Sequence, residues 1–278
     1  MNIREADKSK GISVVINTLN EEGNIRRCIE SVKCIADEVV VCDMHSQDKT
    51  VEIAGKLGAV IIYHEKTGYV EPGRYHAISS ASYEWVLVID ADEVMTERLA
   101  AKLKEIVRQD RVDVVFMGIL FNYFGKFIRH GGFFTNNFPR LFRKNVYLET
   151  YDERDNFVHR GFLNLKEKAA NRIKLPLDYY IEHYPYPTIK SYIDKTIGMY
   201  SLVEAKNMFD KKEKFRLYKL LFQPLKSFMV MYIMRVGFLD GFEGFILATF
   251  YAVFRFAVWA NLWFLENNSQ RRSISDGN

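Results

Sequence analysis

One short apolar segment that ends in carboxylates constrains this chain more than any other feature. It reads WVLVI at residues 85–89 and runs directly into DADE at residues 90–93. A run of this length, rich in β-branched residues, is typical of a strand buried on both faces of a sheet. Because a buried carboxylate without a compensating charge is very costly, Asp90 and Asp92 are expected at the carboxyl end of that strand, in the crevice where open α/β sheets bind ligands.

Two interpretations of Asp90 and Asp92 are open at this point. The first is a divalent cation, Mg²⁺ or Mn²⁺, since these ions take oxygen ligands and Mg²⁺ commonly uses one or two carboxylates together with substrate phosphates. The second is a turn in which one of the two aspartates caps the helix that follows. The polar loops upstream of this segment favour the cation.

The length and charge of the chain narrow the class of protein. With 278 residues it can bury a large core, as one large domain or two small ones. The net charge is +4, with an acidic excess in residues 1–110 and a basic excess in residues 111–278, which suggests an anionic partner: phosphate groups, nucleic acid or an acidic membrane surface. The N-terminal residues lack the apolar core of a signal peptide, and three cysteines without metal-ligand spacing are expected to be reduced, so a cytoplasmic protein is expected.

The first 120 residues alternate between strand and helix patterns. Strands are predicted at residues 12–16, 38–42, 59–63, 85–90 and 112–120, with helices between them. Such alternation predicts an α/β fold with a Rossmann-like, mostly parallel sheet flanked by helices. The chain has neither G-x-G-x-x-G nor G-x-x-x-x-G-K-[ST], so neither a dinucleotide-dependent dehydrogenase nor a P-loop nucleotidase is supported.

The loops after the first two predicted strands are polar. Thr18, Asn20 and Glu22 follow the first strand, and Asp43 follows the second. An acidic residue at a strand end can accept a hydrogen bond from a nucleotide base or a ribose hydroxyl, so Asp43 is a candidate nucleotide contact. Asp48 is instead expected to cap the next helix.

Three of these segments together resemble the family-two glycosyltransferases with the GT-A fold. They are ISVVINTLNEEGNIRRCIESV (12–32), DEVVVCDMHSQDKTVEIA (37–54) and YEWVLVIDADE (83–93). The resemblance continues through PRLFR (139–143), His159, IEHYPYPTIKSYIDK (181–195) and YIMRVGFLDGFEGFILA (232–248). This combination looks like the branch that adds sugars to the lipopolysaccharide core or to similar lipid-linked acceptors.

The resemblance implies transfer of a hexose from a nucleotide-diphosphate sugar, with UDP-glucose or a similar UDP-sugar as the expected donor and inversion at the anomeric carbon. The positions that match the nucleotide-binding positions of the family are Thr18, Asn20, Glu22, Asp43, Arg74 and Asp90. Asp90 and Asp92 match the metal motif, with Asp92 the more direct ligand of Mn²⁺ or Mg²⁺. A divalent cation at this place stabilises the charge of a departing nucleoside diphosphate.

An inverting transfer also needs a general base for the acceptor hydroxyl. The acidic residues at 149–155 lie where the family places this base, and Asp152 is the expected base with Glu153 as the next candidate. The alternative is an exposed acidic loop balanced by arginines. Relatives often have Glu directly after the histidine, whereas this chain has His159-Arg160, so a glutamate at that place cannot serve here.

Two histidines are candidate additional contacts to the metal or the diphosphate. They are His159 and His183. The alternative for each is a structural histidine whose ring is satisfied by its neighbours.

From Lys211 onward the sequence becomes basic and aromatic. Residues 244–265 are almost wholly apolar apart from Arg255 and Asn261. Basic residues beside aromatic ones suit short helices, broken by Pro224 and glycines, that lie in the interface of an anionic membrane. A buried core helix and a membrane span are the alternatives, although Arg255 makes a span costly. Nucleic-acid binding is disfavoured because no nucleic-acid motif is present.

These patterns predict an N-terminal tail (1–10), a GT-A glycosyltransferase domain (11–210), a membrane-associating amphipathic helical region (211–266) and a disordered tail (267–278). Within the domain, residues 11–110 are expected to bind the nucleotide sugar and residues 111–210 to form the acceptor side. The expected protein is an inverting hexosyltransferase, peripheral on the inner face of the cytoplasmic membrane, with a lipid-linked saccharide as acceptor. The rivals are an inactive membrane-surface scaffold with the same fold and a sugar-nucleotide pyrophosphorylase, whose Gly-rich, Arg-containing loop is missing from NTLNEEG (17–23).

Overall fold

The computed structural model of the chain describes residues 10–66, 71–151, 162, 165 and 169–275. These residues form two compact units, and each is considered by itself. Unit 1 comprises the residues up to Leu120 together with Thr135–His183, and unit 2 comprises Phe121–Phe134 together with Tyr184–Asn278. The carboxylate segment at residues 90–93 therefore belongs to unit 1.

The described strands form one mixed sheet. They are β1 (Ile12–Thr18), β2 (Glu38–Asp43), β3 (Val60–Tyr63), β4 (Trp85–Asp90), β5 (Glu93–Met95), β6 (Val114–Tyr123), β7 (Lys126–Ile128), β8 (Thr135–Arg143), β9 (Arg172–Lys174) and β10 (Tyr180–Tyr186). The main order is β3-β2-β1-β4-β8-β6-β10-β5, and β7 and β9 pair with β6. The predicted α/β class is confirmed: β3, β2, β1 and β4 are parallel, whereas β8 runs antiparallel to both β4 and β6.

Helices flank this sheet in unit 1 and make up most of unit 2. They are α1 (Ile25–Val32), α2 (Thr50–Lys56), α3 (Glu71–Ser80), α4 (Glu97–Gln109), α5 (Lys144–Thr150), α6 (Ile189–Tyr192), α7 (Ser201–Asp210), α8 (Leu217–Met229) and α9 (Gly241–Ser275). Local chemistry sets several boundaries. Thr96 caps α4 by accepting a hydrogen bond from the N–H of Leu99, and Gly58, with φ of 86°, follows α2.

Strand β4 is buried on both faces, as its composition predicts. Val86 and Val88 lie in an apolar cluster on one side of the sheet, whereas Leu87 and Ile89 lie in a second cluster on the other side. With β1 on one edge and β8 on the other, the strand is enclosed in every direction. Asp90 at its carboxyl end therefore has a fixed position.

Two strands bring distant residues to the end of β4. Leu141 of β8 lies opposite Leu87, so the antiparallel course of β8 carries the preceding residue, Arg140, toward Asp90. On β10, His183 lies opposite Glu93 of β5. The sheet topology thus brings together side chains that the sequence keeps far apart.

Residues 244–265 lie within the single long helix α9, which corrects the expectation of short helices broken by glycine and proline. Gly244 does not interrupt the helix: a side chain there would place Cβ only 2.0 Å from the carbonyl oxygen of Gly237, so glycine permits close packing. Pro224 likewise lies inside α8 without ending it. Helix α9 continues to Ser275, into the segment that the sequence predicts as a disordered tail.

One side of α9 is part of the core of unit 2. Its buried side chains are Leu247, Ala248, Phe254, Val258, Trp259 and Leu262. An apolar cluster with residues of α7 and α8 contains four of them: Phe254, Val258, Trp259 and Leu262. Among the described residues, Gly237–Asn268 is the one stretch long and apolar enough to cross a membrane by length and composition, and 33% of its most apolar window is buried.

Truncation of a buried side chain of α9 tests this packing. Leu262→Ala is expected to lower the free energy of unfolding by about 2–5 kcal/mol, because it opens a cavity in the core of unit 2. Phe264→Ala, on the exposed side of the same helix, is the matched control and is expected to cost less than about 1 kcal/mol. Urea unfolding followed by circular dichroism measures both; equal costs would contradict the buried position of Leu262.

Candidate active site

Two arginines hold the carboxylate of Asp90. Its Oδ1 accepts a hydrogen bond from Nη2 of Arg74 at 2.9 Å, and its Oδ2 accepts one from Nη2 of Arg140 at 3.2 Å. Arg74 comes from α3 and Arg140 from β8, so a helix and an antiparallel strand close on the end of β4. Burial alone would raise the pKa of Asp90, but the two guanidinium groups outweigh burial and hold that pKa well below its usual range. Asp90 is therefore ionised at neutral pH, with both oxygens engaged.

Glu93 is a second carboxylate in the same cluster and is fully buried. Its Oε1 accepts a hydrogen bond from Nη2 of Arg140 at 2.6 Å, and its Oε2 accepts one from the backbone N–H of Asp90 at 2.8 Å. Burial raises the pKa of Glu93, and the charge of Asp90 adds to this effect while Arg140 opposes it. Through these bonds Glu93 fixes the turn that carries Asp92.

His183 joins Asp92 to this cluster. Its Nε2 lies 3.2 Å from Oδ1 of Asp92, and its Nδ1 lies 3.7 Å from Oε1 of Glu93. Burial would lower the pKa of His183, but the neighbouring carboxylates of Asp92 and Glu93 raise it above its usual value. The Asp92 carboxylate and the His183 ring therefore lie side by side, and a cation that binds both has to displace the proton on Nε2 of His183.

Several buried polar atoms around Asp90 have no hydrogen-bond partner within the described part of the chain. They are both side-chain amide atoms of Asn17, Oγ1 of Thr18, Nε of Arg74 and Nη1 of Arg140. Asn17 is the register neighbour of Asp90 on β1, and both arginines bind Asp90. Because buried polar groups are normally hydrogen-bonded, such a cluster of unpaired atoms indicates a site built for a polar ligand.

These residues fit a divalent cation that is shared with an anionic ligand. Within the described ranges, no three His, Cys, Asp or Glu side chains form a complete cation site. Asp92 and His183 nevertheless supply two ligands of suitable type, and Mg²⁺ or Mn²⁺ commonly completes its shell with water and substrate phosphate oxygens. Since both oxygens of Asp90 are bound by arginines, Asp92 and His183 are better placed than Asp90 to hold the cation.

The predicted nucleotide loops after β1 and β2 are bound to each other. Oδ1 of Asn20 accepts a hydrogen bond from the backbone N–H of Gln47 at 2.8 Å, and Oε2 of Glu22 accepts one from that of Lys49 at 3.1 Å. Asn20 adopts the left-handed conformation, with φ of 56°. The side chains of Asn20 and Glu22 therefore shape the loops at the end of the parallel strands.

Thr18 and Asp43 end β1 and β2 as register neighbours, and both are buried. Asp43 accepts two hydrogen bonds from Ser46, one from the backbone N–H at 2.8 Å and one from Oγ at 2.5 Å. Asp48 accepts hydrogen bonds from the backbone N–H and hydroxyl of Thr50, the first residue of α2. The N-cap position itself is Lys49, whose side chain makes no capping bond, so Asp48 binds the start of the helix from one residue before the cap.

Some of the site residues predicted from the sequence are not part of the charged cluster around Asp90. Asp152, Glu153 and His159 lie outside the described residues. Conversely, the sequence predicts no role for three residues of this cluster: Asn17, Glu93 and Arg140. Asn17 has a recognisable signal, because it is a polar side chain within an otherwise apolar strand segment; Arg140 has none without the sheet topology.

Sequence comparisons identify the family. The sequence model of glycosyl transferase family 2 matches residues 13–170. An uncharacterized glycosyltransferase of Rickettsia typhi is 32% identical over 271 residues, which cover 96% of this chain and 91% of the relative. The low-salt glycan biosynthesis hexosyltransferase Agl6 of Haloferax volcanii is 37% identical over 116 residues, which cover 40% of this chain and 28% of Agl6. The chain therefore belongs to glycosyl transferase family 2, whose members use nucleotide-sugar donors and an acceptor.

Solved structures agree with this family at the level of the fold. The crystal structure of S. aureus TarS, residues 1–349, is 16% identical, with a TM-score of 0.51 over 94% of this chain and 91% of TarS. TarS has also been crystallised in complex with UDP. The fold is that of glycosyl transferase family 2.

Removal of Arg140 tests the buried ion pairs. Arg140→Met is expected to lower the free energy of unfolding by about 3–5 kcal/mol, because it leaves Glu93 buried without its cationic partner. The double variant Glu93→Gln/Arg140→Met is expected to be more stable than Arg140→Met alone, since it removes that uncompensated charge.

The matched control is Arg26→Met, which breaks an exposed ion pair with Glu30 and is expected to cost less than about 1 kcal/mol. Urea unfolding of all four proteins gives the comparison. A cost for Arg140→Met as small as that of the control would contradict the buried pairing of Arg140.

Proposed function

We propose that this chain transfers a hexose from a UDP-sugar with the help of Mn²⁺ or Mg²⁺. The observation that carries the proposal is the charged cluster at the end of β4, in which ionised Asp90 is fixed by two arginines next to the Asp92–His183 pair. A nucleoside diphosphate supplies the phosphate oxygens that a cation on two protein ligands needs. The UDP complex of TarS agrees with this nucleotide, and the hexosyltransferase Agl6 agrees with transfer of a hexose.

In this proposal the loops after β1 and β2 hold the nucleoside. Thr18, Asn20 and Glu22 border it, and Asp43 accepts a hydrogen bond from the base. Nε of Arg74 and Nη1 of Arg140, which lack partners among the described residues, are available to the donor next to Asp90. Asp92 and His183 hold the cation, which when bound neutralises the negative charge of the departing nucleoside diphosphate.

The transfer itself is a single displacement. The acceptor hydroxyl forms a bond to the anomeric carbon while the bond from that carbon to the diphosphate breaks, which inverts the configuration. A general base takes the hydroxyl proton. We assign this role to Asp152, with Glu153 as the next candidate and His159 as a further contact, on the resemblance alone, since these residues lie outside the described ranges.

We further propose a lipid-linked saccharide, such as the lipopolysaccharide core, as acceptor, and the inner face of the cytoplasmic membrane as the place of action. The resemblance of residues 181–195 and 232–248 to the branch with such acceptors supports the first proposal. The basic excess of residues 111–278 and the exposed apolar side chains of unit 2 support the second.

An inactive scaffold at the membrane is the second candidate function. It requires no nucleotide, and it gives no reason for the unpaired buried polar atoms around Asp90. Binding of the nucleotide therefore separates the two candidates.

Calorimetric titration of UDP, GDP and dTDP tests the donor. UDP is expected to bind, and to bind at least about tenfold more tightly with Mn²⁺ than without, because the cation links the diphosphate to Asp92 and His183. Asp92→Asn and His183→Gln are each expected to remove most of this dependence on Mn²⁺.

Glu182→Gln is the matched control, since neighbouring residues of a strand point to opposite faces of the sheet and Glu182 precedes His183 on β10. It is expected to bind UDP as the unmodified chain does. If no nucleotide binds to a sample whose circular dichroism shows a folded protein, the proposed transfer is wrong and the scaffold is favoured.

A further inference from the structure

We propose that α8 is a membrane-docking helix, which lies in the surface of an anionic bilayer with its apolar face among the acyl chains while α9 supports it from inside unit 2. This inference rests on the proposed function for its membrane location and names the element that makes the contact. Its physical basis does not involve the donor site.

The outer face of α8 is apolar along its whole length. Its residues are Leu217, Tyr218, Leu221, Phe222, Leu225 and Met229, each between 46% and 64% exposed. Their spacing of one, three or four residues places them on one side of a helix. A helix of a water-soluble protein normally directs its apolar side toward the core. The apolar side of α8 instead faces outward, which is typical of a surface that binds a partner or a membrane.

The exposed apolar surface continues past the end of α8. The exposed side chains there include Ile233, Met234, Phe238, Leu239 and Phe242. Tyr232 contacts Phe238 and Phe245 through ring edges, so this segment folds against the start of α9. The helix and the segment that follows it together form the docking surface.

Basic residues flank this surface. Residues 211–235 contain seven Lys and Arg and a single acidic residue, Glu213. Three of the lysines, Lys211, Lys212 and Lys214, are exposed just before α8, and Lys226 is exposed on the helix itself. An apolar helix face bordered by cations matches a bilayer with anionic headgroups, where acyl chains receive the apolar residues and phosphates receive the lysines.

The inner face of α8 is bound to α9 by polar contacts. Oε1 of Gln223 accepts hydrogen bonds from Nη2 of Arg255 at 2.8 Å and from Nε1 of Trp259 at 3.0 Å. Arg255 also donates to Glu204 of α7 at 2.5 Å. These bonds fix the rotation of α8, so that its apolar face points away from the core of unit 2.

The same contacts disfavour two other occupants. A membrane span by α9 would place Arg255 in hydrocarbon, away from its partner Glu204 on α7, and would separate Val258 and Leu262 from the cluster in which they are buried. A second copy of the chain would bring two strongly basic segments together, which costs free energy. An anionic bilayer satisfies both the apolar and the basic residues.

Vesicle sedimentation of the full chain tests the proposal. The protein is expected to bind vesicles of phosphatidylcholine with phosphatidylglycerol, and much more weakly vesicles of phosphatidylcholine alone. Leu221→Asp/Phe222→Asp is expected to lower the affinity at least about tenfold, because two apolar side chains leave the acyl chains. Replacing Lys211, Lys212 and Lys214 with Gln is expected to lower it about fivefold per lysine.

Two control variants carry the same charge change at other exposed apolar residues. Val60→Asp/Leu177→Asp lies in unit 1, and Phe256→Asp/Phe264→Asp lies on the outer side of α9. Both are expected to bind the anionic vesicles as the unmodified chain does. Loss of binding with the α9 variant and not with the α8 variant would overturn the assignment to α8.

Three further results would overturn the proposal. They are equal binding to both kinds of vesicle, release of the chain from cell membranes by detergent but not by alkaline carbonate, and loss of a dimer in solution with Leu221→Asp/Phe222→Asp. Release by carbonate supports the surface position. UDP titration of each variant separates this proposal from the proposed donor site. The α8 variant is expected to bind vesicles weakly but to bind UDP as the unmodified chain does. If the donor proposal is wrong, UDP does not bind, but the unmodified chain still binds vesicles.

Discussion

The charge of Asp90 at the end of a fully buried strand is the constraint on which the rest of unit 1 depends. Burial of that carboxylate is costly, and Arg74 and Arg140 offset the cost by approaching it from α3 and β8. Arg140 in turn needs Glu93, which binds the backbone of Asp90 and contacts His183. One partly buried charge thus determines where a helix and three further strands meet at the end of β4, and that meeting point is the candidate donor site.

Hydrogen bonds hold this arrangement together before any ligand binds. Both oxygens of Asp90 and both oxygens of Glu93 are engaged, and the loops after β1 and β2 are bound to each other through Asn20 and Glu22. A site whose side chains are already held in place benefits the binding of a nucleoside diphosphate, because fewer side chains have to be ordered on binding. Unit 2 differs from unit 1 in where its apolar residues lie. One side of α9 is buried in its core, whereas the apolar residues on the outer face of α8 are exposed.

The sequence predicts the parts of this structure that are governed by local pattern. Strand β4 begins and ends at the predicted residues, and the carboxylates follow it as expected, because a continuous apolar run has few other solutions. The positions of Arg140 and His183 next to these carboxylates depend on antiparallel strands, β8 and β10, that are far from β4 in the sequence. No local sequence pattern predicts which strands pair in this way. Gly237 and Gly241 lie at the break between α8 and α9, as glycines often do, whereas Gly244 lies inside α9 because it packs closely against Gly237.

In the proposed function, Asp92 and His183 hold a divalent cation next to a nucleoside diphosphate at the end of β4. A crystal of the protein grown with UDP and Mn²⁺, measured at the manganese absorption edge, would locate that cation. We expect an anomalous peak within coordinating distance of Oδ1 of Asp92 and Nε2 of His183, with the diphosphate bound to the same ion. Bound UDP with the manganese peak elsewhere, or with no contact to either side chain, would show that Asp92 and His183 do not hold the cation.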